Sequence, residues 1–275
     1  MNFGCVISPK DIRDYRLKLK DKIYPRTFKL TDDHQIKDQM YVSSCTAHAA
    51  STILEFFCNN RVTLSTNFLY GIRKKLFSSS YKGMTIRDVC KIATRYGDME
   101  YKLCPGNNEI EEVFDIAEKA FNSDKAMNNA YKHKASVYLN LLNNEDRIKS
   151  FLFHFGPVLT SARWYYDYTV KDDGTVNFNK NSQYAYHAFV IYGWDEDGWL
   201  CQNSWGRFWG NDGLFKLRYD DKLVETFGLV DDSELSDMTD NIIRPTHSIE
   251  LLDYLFRFVN FLIAKLLALR DVVIN

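Results

Sequence analysis

The spacing of apolar residues divides the chain into a first half with helical periodicity and a second half with strand-like segments. From Ser44 onward, apolar residues recur near the 3.6-residue period of a helix that has one buried face. Ser43 or Ser44 can cap the start of this helix with a side-chain oxygen. The same spacing predicts further helices over residues 64–77, 84–96 and 109–132.

The second half contains short segments that are rich in aromatic and β-branched residues. Turns such as "KDDG", "DEDG" and "GND" separate these segments. We expect antiparallel strands over residues 157–166, 175–179, 186–194, 198–205 and 213–219. Helices followed by strands predict an α+β fold class, with a helical lobe and a β lobe on the two sides of a cleft.

The chain is predicted to have three regions. Residues 1–24 form a short polar leader. Residues 25–235 form the folded domain, whose helical lobe covers 25–135 and whose β lobe covers 136–235. Residues 236–275 form a C-terminal tail.

The tail contains an apolar helix candidate over residues 248–271, which charged residues such as Asp253, Arg257 and Lys265 interrupt. A membrane-spanning helix needs roughly 20 predominantly apolar residues, so a span is the least favoured interpretation. We favour docking on the protein's own body or on a partner protein. Association with a membrane surface is the open alternative.

The composition argues against several classes of function. A formal net charge of −1, without a dense run of Lys and Arg, gives no surface for nucleic acid. The six cysteines include no C-x-x-C pair and no metal-ligand spacing, so we expect no metal and no other cofactor. The N-terminal segment lacks the apolar core of a secretory signal. We therefore expect free thiols and an intracellular or virion-associated location.

Cys45 is a candidate for chemistry because it lies where the predicted helix begins. A helix N-terminus lowers the pKa of a thiol by favouring the thiolate. By position alone, a buried structural cysteine remains the alternative. His187 opens a predicted strand, and the "DEDG" turn brings Asn203 of the next strand beside it. An imidazole oriented by a side-chain amide is the arrangement that cysteine nucleophiles use.

At these residues the chain resembles the papain-like cysteine peptidase family. The family has a Gln six residues before the Cys, a distant His, and an Asn in an N-S-W-G strand followed by W-G-x-x-G. "DQMYVSSCTAHA" contains Gln39 and Cys45, and "YHAFVIYGWDEDGWLCQNSWGRFWGNDGLFKL" contains His187, Asn203 and Trp205. His187 follows Cys45 by 142 residues, inside the family range of about 130 to 150.

Other segments resemble the bacterial and viral members of the family. "KGMTIRDVCKIATRYGDMEYKLCP" is similar to a stretch of those members, and "GCVISPKDIRDY" is similar to their short leader. Val42 stands where lysosomal members have a disulfide-forming cysteine, and Thr46 stands where a Trp is usual. Only 23 residues precede Tyr24. The resemblance therefore implies the branch without a long propeptide.

The resemblance implies a role for each site residue. Cys45 would be the nucleophile, held with the base His187 as a thiolate–imidazolium pair. Asn203 would orient the imidazole, and Trp205 would shield their hydrogen bond from water. Gln39 would donate a hydrogen bond to the oxyanion. The implied activity is that of an endopeptidase, which hydrolyses a polypeptide substrate through an acyl-enzyme thioester.

The resemblance also suggests where a substrate would bind. Gly83 aligns with the family glycine that lets a substrate backbone approach closely. The floor of the second substrate pocket is expected at Asp231 or Asp232, where an acid would favour a basic or polar side chain. Leader residues 3–17 either strap the two lobes together, which we favour, or plug the cleft.

Two other functions remain open. The same residues could transfer the acyl group to an amine, as a transpeptidase or isopeptidase does. Alternatively, the chain could be a non-catalytic homologue that binds peptides in its cleft, and Cys45 would then have ordinary reactivity. The sequence does not determine the oligomeric state.

Overall fold

The computed structural model describes residues 3–18, 24–77, 82–106, 110–231 and 242–243. The predicted tail helix, with its docking or membrane contact, lies outside these residues. Among the residues that are described, no helix is both long enough and apolar enough to cross a membrane. The predictions for the tail therefore stay predictions.

The first half is mainly helical, as its apolar spacing predicts. The helices are α1 Cys45–Phe57, α2 Thr66–Gly71, α3 Arg73–Phe77, α4 Ile86–Arg95, α5 Ile110–Phe121, α6 Asp124–Ala130 and α7 Glu145–His154. The strands are β1 Cys5–Val6, β2 Arg16–Leu17, β3 Phe28–Lys29, β4 Met84–Thr85, β5 Val137–Asn140, β6 Val158–Tyr165, β7 Tyr168–Val170, β8 Val176–Phe178, β9 Tyr184–Trp194, β10 Gly198–Gln202, β11 Leu214–Arg218, β12 Leu223–Val230 and β13 Ile242–Ile243.

One large sheet forms the β lobe, and its strand order is β11-β10-β9-β6-β12-β5-β2-β13. The strand β3 pairs with one end of β9. Neighbouring strands in this sheet run antiparallel, except for the short parallel contact between β2 and β5. Two small pairs lie apart from it, β7 with β8 and β1 with β4. The predicted α+β class is confirmed.

The helix α1 lies between the two lobes and is buried along most of its length. Small residues such as Ala47 and Ala50 allow its backbone to approach β9 and β6. Leu159, Ala188 and Val190 of the sheet belong to the same apolar cluster as α1. The helix is therefore held from both sides, and its first residue is placed at the junction of the lobes.

Two predicted helices are divided in the structure. The range 64–77 contains α2 and α3, and the range 109–132 contains α5 and α6. Ser123 separates α5 from α6 because its hydroxyl caps the start of α6. Ser44 occupies the predicted N-cap position of α1, but its hydroxyl bonds to His48 over 3.1 Å and caps no backbone N–H.

Part of the leader contacts both lobes. Asp14 forms an ion pair with Arg87 of α4, at 2.6 Å between Asp14 Oδ2 and an Arg87 guanidinium nitrogen, and the side chains are 2% and 6% exposed. The same carboxylate accepts a hydrogen bond from Asn140 of β5. The backbone N–H of Ser8 donates to Glu225 of β12. Since α4 belongs to the helical lobe, and β5 and β12 belong to the sheet, these contacts join the helical lobe to the β lobe.

We expect Asp14→Asn to lower the free energy of unfolding by about 3–5 kcal/mol, because it leaves the buried Arg87 guanidinium without its counter-charge. Urea denaturation measures the difference. Glu118→Gln, in the exposed pair with Lys75, is the matched control and should leave the midpoint unchanged. Equal midpoints for Asp14→Asn and the parent protein would show that this ion pair does not hold the fold together.

Candidate active site

Cys45 is the first residue of α1, as predicted, and a tight turn precedes it. Met40 in this turn has a left-handed φ of 49°, and its N–H donates to the Asp38 carboxylate over 2.8 Å. The N–H groups in the first turn of a helix have no acceptor within the helix. Together with the helix dipole, they favour negative charge at the Cys45 sulfur.

His187 lies in β9, and the hairpin of β9 and β10 brings Asn203 beside it, as predicted. The Nε2 of His187 donates to Asn203 Oδ1 over 2.8 Å. The same oxygen accepts the backbone N–H of Ser204 over 2.8 Å, which fixes the amide. The other ring nitrogen, Nδ1, is buried and has no hydrogen-bond partner in the described part of the chain. The imidazole is thus oriented through one nitrogen and leaves the other for proton transfer.

Aromatic rings enclose the hydrogen bond between His187 and Asn203. Trp205 stacks on the imidazole, with 4.4 Å between ring centroids and 25° between planes. Trp164 meets the imidazole edge to face at 5.2 Å and meets Trp205 at 4.9 Å. A hydrogen bond in such a water-poor environment is stronger than one in water.

Gln39 is held next to Cys45 by residues of both lobes. Its Nε2 donates to the carbonyl of Val42 over 3.0 Å, and its Oε1 accepts the hydroxyl of Ser204 over 2.7 Å. The Gln39 backbone N–H also donates to the Ser204 carbonyl over 2.8 Å. Ser204 therefore positions Gln39. Sequence reasoning missed this residue, although it lies inside the N-S-W-G motif.

Leader residues 3–6 cover the site. The ring of Phe3 packs edge-on against the imidazole of His187, with 5.7 Å between centroids. The backbone N–H of Gly4 faces the Cys45 sulfur. With the leader in place, Cys45 and His187 are both 0% exposed. A substrate carbonyl cannot reach the sulfur while the leader occupies this position.

Two glycines allow this close approach. A Cβ on Gly4 would overlap the carbonyl oxygen of Ser43, and a Cβ on Gly83 would overlap the carbonyl oxygen of Gly4. That carbonyl accepts the backbone N–H of Met84 over 2.8 Å. Gly83, which the resemblance assigns to a substrate backbone, therefore faces the backbone of the leader.

Burial changes the pKa of both candidate catalytic groups. Loss of hydration raises the pKa of the Cys45 thiol, although the backbone N–H groups of Ala188 and Gly4 oppose this effect. Loss of hydration also lowers the pKa of His187 to about 4, against the opposing effect of its bond to Asn203. The covered site therefore favours a neutral thiol and a neutral imidazole. The thiolate–imidazolium pair that the resemblance implies needs a more hydrated site.

Asp231 does not lie at this site. Burial raises the pKa of Cys58, and the charge of nearby Asp231 raises it further. Cys58 follows the last residue of α1, whose 13 residues span about 20 Å from Cys45. The prediction that Asp231 forms a substrate pocket is therefore wrong, because β12 carries it to the opposite end of α1. Asp232 lies outside the described residues.

Glu225 is the acid that β12 places beside the covered site. It pairs with Ser161 of β6, and its carboxylate accepts the backbone N–H of Ser8 over 3.1 Å. It also contributes, after burial and the charge of Cys45, to the raised pKa of leader residue Cys5. Sequence reasoning missed Glu225. The signal was the two-residue period of a strand, which places Glu225 on the same face of β12 as Phe227, and all residues from Glu225 to Val230 are buried.

The described part of the chain contains no group of three or more His, Cys, Asp or Glu side chains that could hold a metal ion. The expectation of no cofactor stays a prediction.

We expect Gly4→Ala to displace the leader from the site, because the new Cβ would overlap the Ser43 carbonyl. Hydration should then raise the pKa of His187 from about 4 towards 6.5 and lower the pKa of the Cys45 thiol. NMR titration of the imidazole and the pH dependence of iodoacetamide alkylation measure the two values. Lys10→Ala, at an exposed leader position, is the control. If Gly4→Ala and the parent protein were alkylated at the same rate at every pH, the leader would not have been displaced.

Known proteins resemble this chain in sequence and in fold. Residues 24–233 match the family described as papain family cysteine protease. An uncharacterized peptidase C1-like protein of Acanthamoeba polyphaga mimivirus is 26% identical, over 88% of this chain and 89% of that protein. A cathepsin B-like cysteine proteinase of Caenorhabditis elegans is 29% identical over 45% of this chain, and the match spans only 36% of that protein.

A solved structure shows the same fold. Xylellain, a cysteine protease from Xylella fastidiosa, superimposes with a TM-score of 0.73 at 22% identity. The superposition covers 84% of this chain and 96% of that one. With the family match over residues 24–233, these findings show that the chain belongs to the papain family of cysteine proteases.

Proposed function

We propose that the chain is a cysteine endopeptidase in which Cys45 attacks the substrate and His187 transfers protons. The observation that carries the proposal is the orientation of His187, whose Nε2 is held by Asn203 at 2.8 Å while Nδ1 is left without a described partner. A thiol at a helix N-terminus beside such an imidazole is the arrangement that produces a reactive thiolate. Membership of the papain family supports the same chemistry.

The proposed reaction begins when the leader leaves the site. His187 Nδ1 takes the proton of Cys45, and the thiolate attacks the carbonyl carbon of the scissile peptide bond. The oxyanion accepts hydrogen bonds from Gln39 Nε2 and from the backbone N–H of Cys45. His187 then protonates the leaving amine, and a thioester remains on the sulfur. Water activated by His187 hydrolyses the thioester and restores the thiol.

We further propose that the leader has two parts with different functions. Residues 3–6 act as a plug, since they bury Cys45 and His187 completely. Residues 8–17 act as a strap, since they contact both α4 and the sheet. The sequence favours a strap over a plug, and the contacts support both functions in one segment. Removing the whole leader would remove the plug and the strap together. A substitution within residues 3–6 therefore tests the plug separately.

We expect Cys45→Ala to lower turnover of a peptide substrate by at least about 10⁴-fold in the Gly4→Ala background. It should also abolish labelling by a thiol-directed epoxide, because the attacking sulfur is gone. Cys58→Ala, at the other end of α1, is the matched control and should retain both. Turnover that persists in Cys45→Ala would overturn the assignment.

Glu225 supports a proposal for the substrate. When residues 3–6 leave, the Glu225 carboxylate keeps the Ser8 N–H on Oε1, while Oε2, which has no hydrogen-bond partner among the described residues, becomes accessible beside Ser161. A carboxylate in a partly buried pocket prefers a guanidinium, which offers charge and paired N–H donors. We therefore propose a preference for a basic residue at the second position before the cleaved bond. This assigns to Glu225 the role predicted for Asp231 or Asp232.

We expect Glu225→Gln to reduce the ratio of kcat/KM for an Arg substrate over a Phe substrate by about tenfold or more, since a charge-assisted hydrogen bond contributes about 1.5–3 kcal/mol. The ratio does not depend on what fraction of the protein is open. Asp231→Asn removes an acid at the far end of α1 and should leave the ratio unchanged. A strong Phe preference in the parent protein would rule out the proposal.

A further inference from the structure

The leader brings a second thiol next to Cys45. Cys5 opens β1, is 8% exposed, and pairs with Met84 of β4. The carbonyl of Met84 accepts the hydroxyl of Thr46 over 3.1 Å. That hydroxyl lies 4.0 Å from Cys45 Sγ and also interacts with the Cys5 thiol. Both thiols therefore lie next to the Thr46 side chain.

Cys5 differs from the other cysteines in this respect. After burial, the charge of Cys45 is the largest contribution to the raised pKa of Cys5. The charge of Cys45 is not among the main causes of the raised pKa of the other described cysteines, which are Cys58, Cys90, Cys104 and Cys201. All six are free thiols. Within the described chain, Cys5 is thus the cysteine positioned to react with Cys45.

We propose that Cys5 is a resolving thiol, which forms a disulfide with Cys45 after a peroxide has oxidised Cys45. The inference rests on the proposed function in one respect, namely that Cys45 is the reactive thiol. The disulfide closes the site reversibly, because it joins the nucleophile covalently to the residues that cover it.

The reaction balances with a peroxide as oxidant. While the leader is away, the Cys45 thiolate attacks one oxygen of hydrogen peroxide, the O–O bond breaks, and a sulfenic acid and water form after proton transfer. When the leader returns, the Cys5 thiol attacks the sulfenic sulfur, a disulfide forms, and a second water leaves. In total, two thiols and one peroxide give one disulfide and two waters. An external dithiol reverses the reaction by exchange.

The resolving thiol matters because of what happens without it. A sulfenic acid that meets no thiol can be oxidised to a sulfinic acid, which dithiols do not reduce. Gly4 precedes Cys5 and contacts Cys45, so closure of the leader delivers the second thiol to the oxidised sulfur. The covering segment then protects the nucleophile as well as blocking it.

The test uses the full chain, first reduced and then treated with hydrogen peroxide. Peptide mapping without reductant should find the Cys5 and Cys45 peptides cross-linked, with a mass loss of about 2 Da for the two thiol hydrogens. Dithiothreitol should restore epoxide labelling of Cys45. In Cys5→Ser, no cross-link should form, and the Cys45 peptide should gain about 32 Da as sulfinic acid that dithiothreitol does not reverse.

Cys58→Ser is the matched control, because it removes a half-buried thiol at the other end of α1 and should keep the cross-link. A parent protein that reacts with the epoxide but yields no Cys5–Cys45 cross-link would overturn the inference and leave the proposed function intact. Reversible protection of Cys45 in Cys5→Ser would overturn it as well. An absence of both epoxide labelling and turnover in the Gly4→Ala protein would count against the proposed function instead.

Discussion

Burial of α1 between the two lobes determines where every group of the site lies. The helix can occupy this position because small side chains on its buried faces let β9 and β6 approach its backbone. Its N-terminus is thereby fixed against the strand that contains His187. The helix dipole stabilises a thiolate at that terminus. The hairpin of β9 and β10 supplies the imidazole and the amide that orients this imidazole. The nucleophile and the base come from opposite lobes, so anything that holds the lobes together also holds the site together.

The leader links this geometry to electrostatics. Contacts of residues 8–17 with α4 and the sheet join the lobes, and residues 3–6 remove water from the thiol and the imidazole. Each charged form loses hydration, and the hydrogen bonds that oppose this effect are smaller than it, so the covered site favours the neutral form of both groups. The same segment can therefore stabilise the fold and suppress the ionisation that the chemistry needs. These two effects separate along the leader, because they depend on different residues.

Much of the fold class and the core of the site could be predicted from the sequence, because they depend on short-range patterns. Strand alternation and the spacing of Gln39, Cys45, His187 and Asn203 are visible without knowing which elements pack together. Asp231 was assigned wrongly because the register between β12 and β6 decides which acid lies near the cleft, and no local pattern shows that register. The covering of His187 by Phe3 and of Cys45 by Gly4 escaped a firm prediction for a similar reason. It depends on contacts between residues that are about 40 or more positions apart in the sequence.

The strap has a consequence for the kinetics of opening. The ion pair of Asp14 and Arg87 keeps the chain attached eight residues beyond Val6, so a displaced plug stays close to the cleft. A segment tethered by a short linker has an effective concentration in the millimolar range. Closure is then a first-order process that dilution of the protein does not weaken. In the proposed plug mechanism, a substrate competes with this local concentration. The substrate concentration then determines how often the plug is displaced, and no cleavage of the chain is needed.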